Sequence, residues 1–365
     1  MKNKKVIIAG GSGFIGQALV SSFGGDNEIV ILGRGVKNSP GNALESLDVG
    51  LKQHKLRFVK WNARDVEEGW QKELEGADLV INLTGKSVNC RYHEKEKQEI
   101  IESRTLSTKA IGEAIRKTKK PPLAWINAAS TTIYRNTYGV ANDEFTGEIS
   151  DLKKDNMPTN FIDRFRRSLN RNIARRKYGK NSPEYRDVDI DFSVKVCQLW
   201  EQAFNEQLTP GTRKITLRTA IVIDAGGVMV PLLNLCKFAL GGRQGSGGQY
   251  MSWVHMEDVA RMIDWLFENN KEGIYNCVSP GAVTNKEFMR TLRKVTGHYI
   301  GLPATAAMVE VGTWIIGSES ELVLKSRRVY PKRALREGFR FKYEELEPAI
   351  REVISRLPRK RYHII

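Results

Sequence analysis

The sequence predicts an α/β chain built on a doubly wound parallel sheet, and two observations predict it. An apolar run of strand length, Val6 to Ala9, breaks into Gly10-x-x-Gly13-x-x-Gly16 and continues as the helical pattern Gln17-Ala18-Leu19-Val20. Beyond it, short apolar runs alternate with segments of helical periodicity, which is how βαβ units read in sequence. The glycine turn predicts a nucleotide site. Gly10 permits the tight turn, Gly13 lets the backbone approach a pyrophosphate, and Gly16 lets the new helix lie close to the strand. The amides of Phe14, Ile15 and Gly16 open that helix and face the phosphates. A glycine triplet alone is a weak signal, but here strand and helix stand where the mechanism needs them.

Down the chain, Glu28 to Leu32 reads as a second buried strand ending in Gly33-Arg34. An acid at this place takes the ribose hydroxyls of NAD, whereas a base favours the extra phosphate of NADP, so Arg34 points to NADP. Leu56 to Trp61 alternates like a third strand, and the acid-rich segment from Asp65 to Glu75 suits a helix. Ala77 to Gly85 is a fourth strand ending in small residues, which leave room for a cofactor to cross the strand ends. A long helix is predicted from about Glu94 to Lys117, stopped by Pro121-Pro122, and Leu123 to Ala129 is the fifth strand, closing on Ser130-Thr131-Thr132-Ile133-Tyr134.

Residues 151–191 break the rhythm and read as a basic surface insertion, partly helical or partly disordered. A helix through Val194, Leu199 and Phe204 follows, then a sixth strand from Lys214 to Ile223. Residues 226–248 are glycine-rich and hold Arg243; Trp253 to Asp258 opens another helix. The organisation expected is a dinucleotide-binding domain over 1–225, of the NAD(P)-binding Rossmann class, and a smaller, mostly helical lobe over 226–365 on the substrate side. Residues 253–278 are expected to return to the first domain.

The 365 residues, 41% of them apolar, supply a sizeable core. The apolar run after Lys5 is too short for a signal peptide, and no run reaches membrane-spanning length, so a cytoplasmic protein is expected. Four scattered cysteines fit neither a disulfide scaffold nor a metal motif. The formal net charge is +16, concentrated in 151–191 (eleven Lys or Arg against seven acids) and 322–365 (thirteen against five). Such patches could meet nucleic acid, an anionic membrane or a phosphorylated ligand; with no nucleic-acid motif beside them, they read as a solvated basic face and tail. The partner expected is a small-molecule substrate, with neither nucleic acid nor a membrane; a homodimer is left open.

Several motifs together resemble the extended short-chain dehydrogenase/reductase superfamily: the Gly-x-x-Gly-x-x-Gly turn, Asn82-Leu83-Thr84-Gly85, Ser130 to Tyr134, and Tyr275-Asn276-Cys277. Within it the chain is similar to the epimerase family protein branch, whose members are variously described as nucleoside-diphosphate-sugar epimerases or cell-division-inhibitor homologues. The matching stretches are Gly85 to Val88 with Glu102-Ser103-Arg104, Cys197-Gln198-Leu199-Trp200-Glu201, Gly241-Gly242 to His255, Thr284 to Phe288, and Pro331 to Leu335 with Gly338-Phe339. The resemblance implies that Gly33 and Arg34 hold the adenosine phosphate, that Leu83 and Thr84 line the adenine or ribose, and that Glu99, Arg104 and Val222 approach the cofactor.

The superfamily's chemistry rests on a Tyr-x-x-x-Lys pair with a Ser or Thr at the end of the fifth strand. None of the eleven tyrosines has a lysine four residues on. Aligning Glu201 with the glutamate that follows that pair puts Ser193 and Cys197 at the two positions. The candidate catalytic residues are therefore Ser130, which either positions a substrate oxygen or caps a turn, and Tyr134, which is either a substitute acid or a core or cleft-wall tyrosine. Cys197 and His255 read as structural residues. The function expected is an NADP-dependent oxidoreductase or epimerase acting on a sugar-like or other small carbonyl or alcohol. The alternative is an NADP-binding redox sensor or regulator without turnover.

Overall fold

A computed structural model of the chain describes residues 1–35, 56–152, 175–176, 191–310 and 321–363. Seven parallel strands form the central sheet: β1 (Lys5–Ala9), β2 (Glu28–Gly33), β3 (Leu56–Lys60), β4 (Leu79–Asn82), β5 (Ala124–Ser130), β6 (Arg213–Thr219) and β10 (Gly273–Cys277). Their order across the sheet is β3-β2-β1-β4-β5-β6-β10. The chain winds outward from β1 in one direction and then, from β4, in the other. The crevice at the carboxyl ends of β1 and β4 is therefore the switch point at which ligands bind in sheets of this kind.

The apolar runs are continuous because both faces are covered. On one face Val6 and Ile8 pack with α1 (Phe14–Phe23), which buries Leu19, Val20 and Phe23, and with Val259, Ile263 and Leu266 of a later helix. On the other, Ile7 and Ala9 meet Trp61, Trp70 and Trp125 beneath α2 (Glu94–Lys117) and α3 (Phe192–Asn205). The α2 span coincides with its prediction. The helix expected over Asp65–Glu75 is shorter, one turn over Glu68–Gln71 and a 3-10 turn over Lys72–Leu74.

The predicted sixth strand is two strands. β6 ends at Thr219, and β7 (Ile221–Ile223) leaves the sheet to pair in parallel with β9 (Trp253–His255), Val222 opposite Val254. The break falls at Ala220, whose N–H donates to the Cys277 carbonyl (3.1 Å), while the next N–H, of Ile221, donates to Ser252 (3.2 Å). One residue thus changes the chain's bonding partner, a change that an unbroken run of β-formers does not announce.

After β7 come α4 (Met229–Lys237), a short pair of β8 (Tyr250–Met251) with β11 (Val283–Thr284), α5 (Met256–Glu268) leading into β10, α6 (Asn285–Thr296), α7 (Lys332–Arg336) and α8 (Leu346–Ser355). α4, α6 and α8 enclose a core of their own around Leu232, Phe288, Leu292 and Ile350. α6 opens with a capping box, in which Thr284 accepts from the Glu287 amide and Glu287 reaches back to the Thr284 amide. Most of the 151–191 insertion lies outside the described residues. No helix among the described residues is long and apolar enough to cross a membrane.

Candidate cofactor cleft

The three glycines of the turn have three distinct reasons to be glycine. Gly10 has φ +78°, a left-handed conformation that side chains disfavour. A Cβ on Gly16 would lie 2.6 Å from the Gly10 carbonyl oxygen and Gly11 Cα, so α1 can approach the strand only without one. Gly13 precedes α1, and a Cβ there would have the Gly10 carbonyl oxygen 3.3 Å away. α1 has no acidic residue in its first turn and no side-chain cap. Its leading amides keep the partial positive charge that attracts an anion.

Next to this turn, β4 ends in a fixed polar corner. Asn82, fully buried, donates to Asn127 Oδ1 (2.8 Å) and Thr108 Oγ1 (3.2 Å), while its own Oδ1 accepts from the Thr84 amide (3.1 Å). This holds Leu83 and Thr84 at the lip. The Thr84 hydroxyl is buried and has no hydrogen-bond partner among the described residues. Such a group usually awaits a ligand or water.

A cavity of about 500 Å³ lies over these ends. Gly10, Gly13, Gly33, Arg34, Leu83, Thr84 and Glu99, all named from sequence, line it. Arg34 is exposed at the mouth and makes no ion pair with the described residues. Lining residues that sequence reasoning missed are Ser12, Trp61 to Arg64, Lys86 and Ser103. Trp61 to Arg64 follow β3, where Asn62 Oδ1 accepts from the Arg64 (2.8 Å) and Asp65 (2.9 Å) amides and Ala63 takes φ +62°. The sequence signal was an Asn-x-x-Asp turn directly after a strand. Lys86 is paired with Glu99 (2.6 Å) and Arg64 with Glu102 (2.7 Å), so both cations are held at the wall by carboxylates of α2.

Other predicted residues stand apart from the cavity. Arg104 Nη1 donates to the carbonyls of Lys86 and Ile100 (both 3.0 Å), and its guanidinium lies 5.1 Å from the Trp200 ring. A Cβ on Gly85 would meet the Arg104 Cζ at 2.9 Å. Burial pushes this guanidinium below its ordinary value. Arg104 therefore braces the Gly85-Lys86 turn from behind instead of lining the cavity. The Phe14 ring covers Gly226 and Gly227, Val222 is a rung of the β7–β9 pair, and Ile15 packs against the core.

Ser130 ends β5, accepts from the Thr132 amide (3.2 Å) and donates to Thr132 Oγ1 (3.0 Å). It caps a 3-10 turn and remains partly exposed. Tyr134 is fully buried. Its hydroxyl accepts from Arg218 Nη1 (2.8 Å) and donates to Asn276 Oδ1 (3.0 Å), and Arg218 in turn forks onto both oxygens of Glu201 (2.8 and 2.7 Å). Burial raises the phenol above its ordinary value, against the pull of Arg218. Tyr134 is thus a bridge in an internal network, a core residue rather than part of a cleft wall. Cys197 is buried beside it, and burial pushes its thiol up to about 12. His255 caps α5, accepting from the Glu257 amide (3.2 Å), and pairs with Glu352 (2.9 Å), a structural place.

Comparison with known proteins completes this picture. Residues 6–157 match the NAD dependent epimerase/dehydratase family, and residues 306–353 match a domain of unknown function, DUF1731. The epimerase family protein YfhF of Bacillus subtilis is 28% identical over 352 residues, 96% of this chain and 98% of its own. The human epimerase family protein SDR39U1 is 26% identical over 96% of this chain and all of its own length. Among solved structures, human SDR39U1 (isoform 2) with NADPH superposes with a TM-score of 0.73 at 24% identity, covering 97% of this chain and 100% of that one. A UDP-N-acetylglucosamine 4-epimerase from Methanobrevibacter ruminantium, in complex with UDP-N-acetylmuramic acid, reaches 0.66 at 16% identity over 97% and 98% of the two chains. At those identities the likeness establishes the fold. With the NAD dependent epimerase/dehydratase match over 6–157, DUF1731 near the end and end-to-end likeness to such relatives, the chain is similar along its whole length to the epimerase family proteins.

Proposed function

We propose that the chain binds NADP(H) in the strand-end cavity and acts as an oxidoreductase or epimerase on a small carbonyl or alcohol, without a Tyr-x-x-x-Lys pair. The observation that carries the reading is the cavity's polarity. The uncapped start of α1, an Arg34 without an ion pair among the described residues and a Thr84 hydroxyl without a partner among them all border the cavity. In this reading the Gly10–Gly16 turn holds the pyrophosphate, Gly33 and Arg34 the ribose phosphate, and Leu83 and Thr84 the adenosine. A nicotinamide cofactor bound there supplies hydride transfer. Ser130, partly exposed at the end of β5, is the hydroxyl available to position a substrate oxygen.

The sealed state of Tyr134 and Cys197 favours a second reading, an NADP-binding sensor or regulator without turnover. Fluorescence titration of NADPH and NADH against Arg34→Asp tests the binding step. NADPH affinity falls about 10- to 100-fold, the worth of a charge-assisted bond to phosphate, while NADH changes little. Equal losses for both refute the phosphate assignment. NADPH oxidation with a panel of small carbonyl compounds then separates the two readings: turnover that drops in Ser130→Ala supports the enzyme, and tight binding with no turnover supports the sensor.

A further inference from the structure

We propose that an exposed tip of the C-terminal region docks this protein on an anionic membrane surface. The tip is made of two segments laced together by backbone bonds. The Leu302 amide donates to Ala239 (2.8 Å), Gly242 to Leu302 (3.1 Å), Ala304 to Arg243 (2.9 Å) and Gly245 to Ala304 (2.8 Å). The approach is so close that a Cβ on Gly242 would sit 2.4 Å from the Leu302 carbonyl oxygen. Arg293 clamps the same place from beneath, donating to the Gly241 carbonyl. This is a rigid platform.

Its side chains point outward. Tyr299 is 97% exposed, Ile300 67%, Phe238 61%, Leu302 57% and Leu240 45%. Single exposed apolar residues are ordinary, but five on two bonded segments form a patch that calls for a partner. The chain's last basic turn is tied to the same tip: Lys237 donates to the Lys360 carbonyl (3.0 Å), and His298 Nε2 meets the Tyr362 carbonyl (2.8 Å). This holds Arg359, Lys360 and Arg361, all exposed, beside the patch. None of the three has a carboxylate partner among the described residues, whereas nearby Lys294 and Arg356 pair with Glu347 and with Glu352 and Asp224.

Charge selects the occupant. A second copy would set one cationic rim against another, and a nucleic acid has no use for Ile300 and Leu302. An acidic bilayer answers both features, taking aliphatic side chains below its headgroups, tyrosine at their level and arginine and lysine against its phosphates. The mode is peripheral and departs from the sequence-based expectation of no membrane partner. That expectation rested on the lack of spanning segments and on reading the basic stretches as a solvated face, and it could not place residues 238–240, 299–302 and 359–361 on one tip.

Co-flotation of the full chain with phosphatidylcholine vesicles, with and without phosphatidylglycerol, tests the proposal. Binding is expected only with the anionic lipid and weakens as salt is raised. Neutralising the turn (Arg359→Gln, Lys360→Gln, Arg361→Gln) lowers partitioning about fivefold per charge, about a hundredfold in all. Tyr299→Ser with Ile300→Ser, which touches no buried residue, also abolishes flotation while leaving the unfolding midpoint unchanged. Absence of binding to anionic vesicles overturns the proposal, as do variants that bind like the parent. Light scattering that shows the serine variant converting a dimer to a monomer, without vesicle binding in the parent, assigns the patch to a second copy and overturns it too.

Discussion

Two ends of one row of strand termini have been put to opposite uses. At β1, β2 and β4 the polar groups are unspent among the described residues: helix amides without a side-chain cap, an arginine without a carboxylate, a threonine hydroxyl without a partner. At β5, β6 and β10, which continue the sheet beyond β4, the polar groups are spent on one another, with Glu201, Arg218, Tyr134 and Asn276 bonded in series inside the protein. The first arrangement costs stability and leaves binding capacity; the second secures the fold and leaves none. The family's usual proton-transfer pair would stand near the second end, and there the chain has Ser193 and Cys197. This is why the molecule speaks more plainly about what it holds than about what it converts.

The sharpest way to break that contrast is Glu201→Gln. Both partners of the fork are less than one-tenth exposed, so the substitution strands a buried guanidinium and is expected to cost about 3–5 kcal/mol in urea unfolding. NADPH affinity in the folded fraction should not change; a parallel loss of affinity would mean that the two ends are one site. Gly16→Ala probes the other end with a smaller effect. The new methyl meets backbone at 2.6 Å, and the overpacking is expected to cost about 1–3 kcal/mol. Here NADPH affinity should fall with stability, measured by titration at a temperature where the variant is folded. The smallest effect concerns Cys197. With its thiol at about 12 and buried, alkylation at pH 8 should leave it unmodified in the native state while half-buried Cys90 reacts, as peptide mass mapping would show. Rapid labelling of Cys197 would show that the sealed end opens.

Much of the fold was legible because its signals are local. The apolar runs of β1, β2, β4 and β5 and the glycine turn each specify their own conformation within a few residues, and α2 carries its periodicity over its whole length. The cavity was legible where it rests on that turn and on strand ends, as with Gly33, Arg34 and Thr84. What escaped depends on contacts distant in sequence. Nothing local sends Arg104 behind Gly85 rather than into the cavity; that is decided by the Lys86 carbonyl and the Trp200 ring. Nothing local marks Ala220 as a break, because the choice belongs to Ser252 and Cys277. Asn62 and Arg64 were missed for a different reason, since a turn after a strand is common and only its position beside β2 makes it a wall.

The division of the sixth strand has a mechanical side. The polypeptide passes from the main sheet to the β7–β9 pair through Ala220 alone, with hydrogen bonds on the residues either side and no slack between. β9 runs straight into α5, and α5 leads back to the sheet's edge strand. The two sheets are therefore geared rather than hinged. A tilt of β7 must therefore twist β6 or strain the β9–α5 junction, and it reaches the edge strand β10 as torsion instead of being absorbed in a loop.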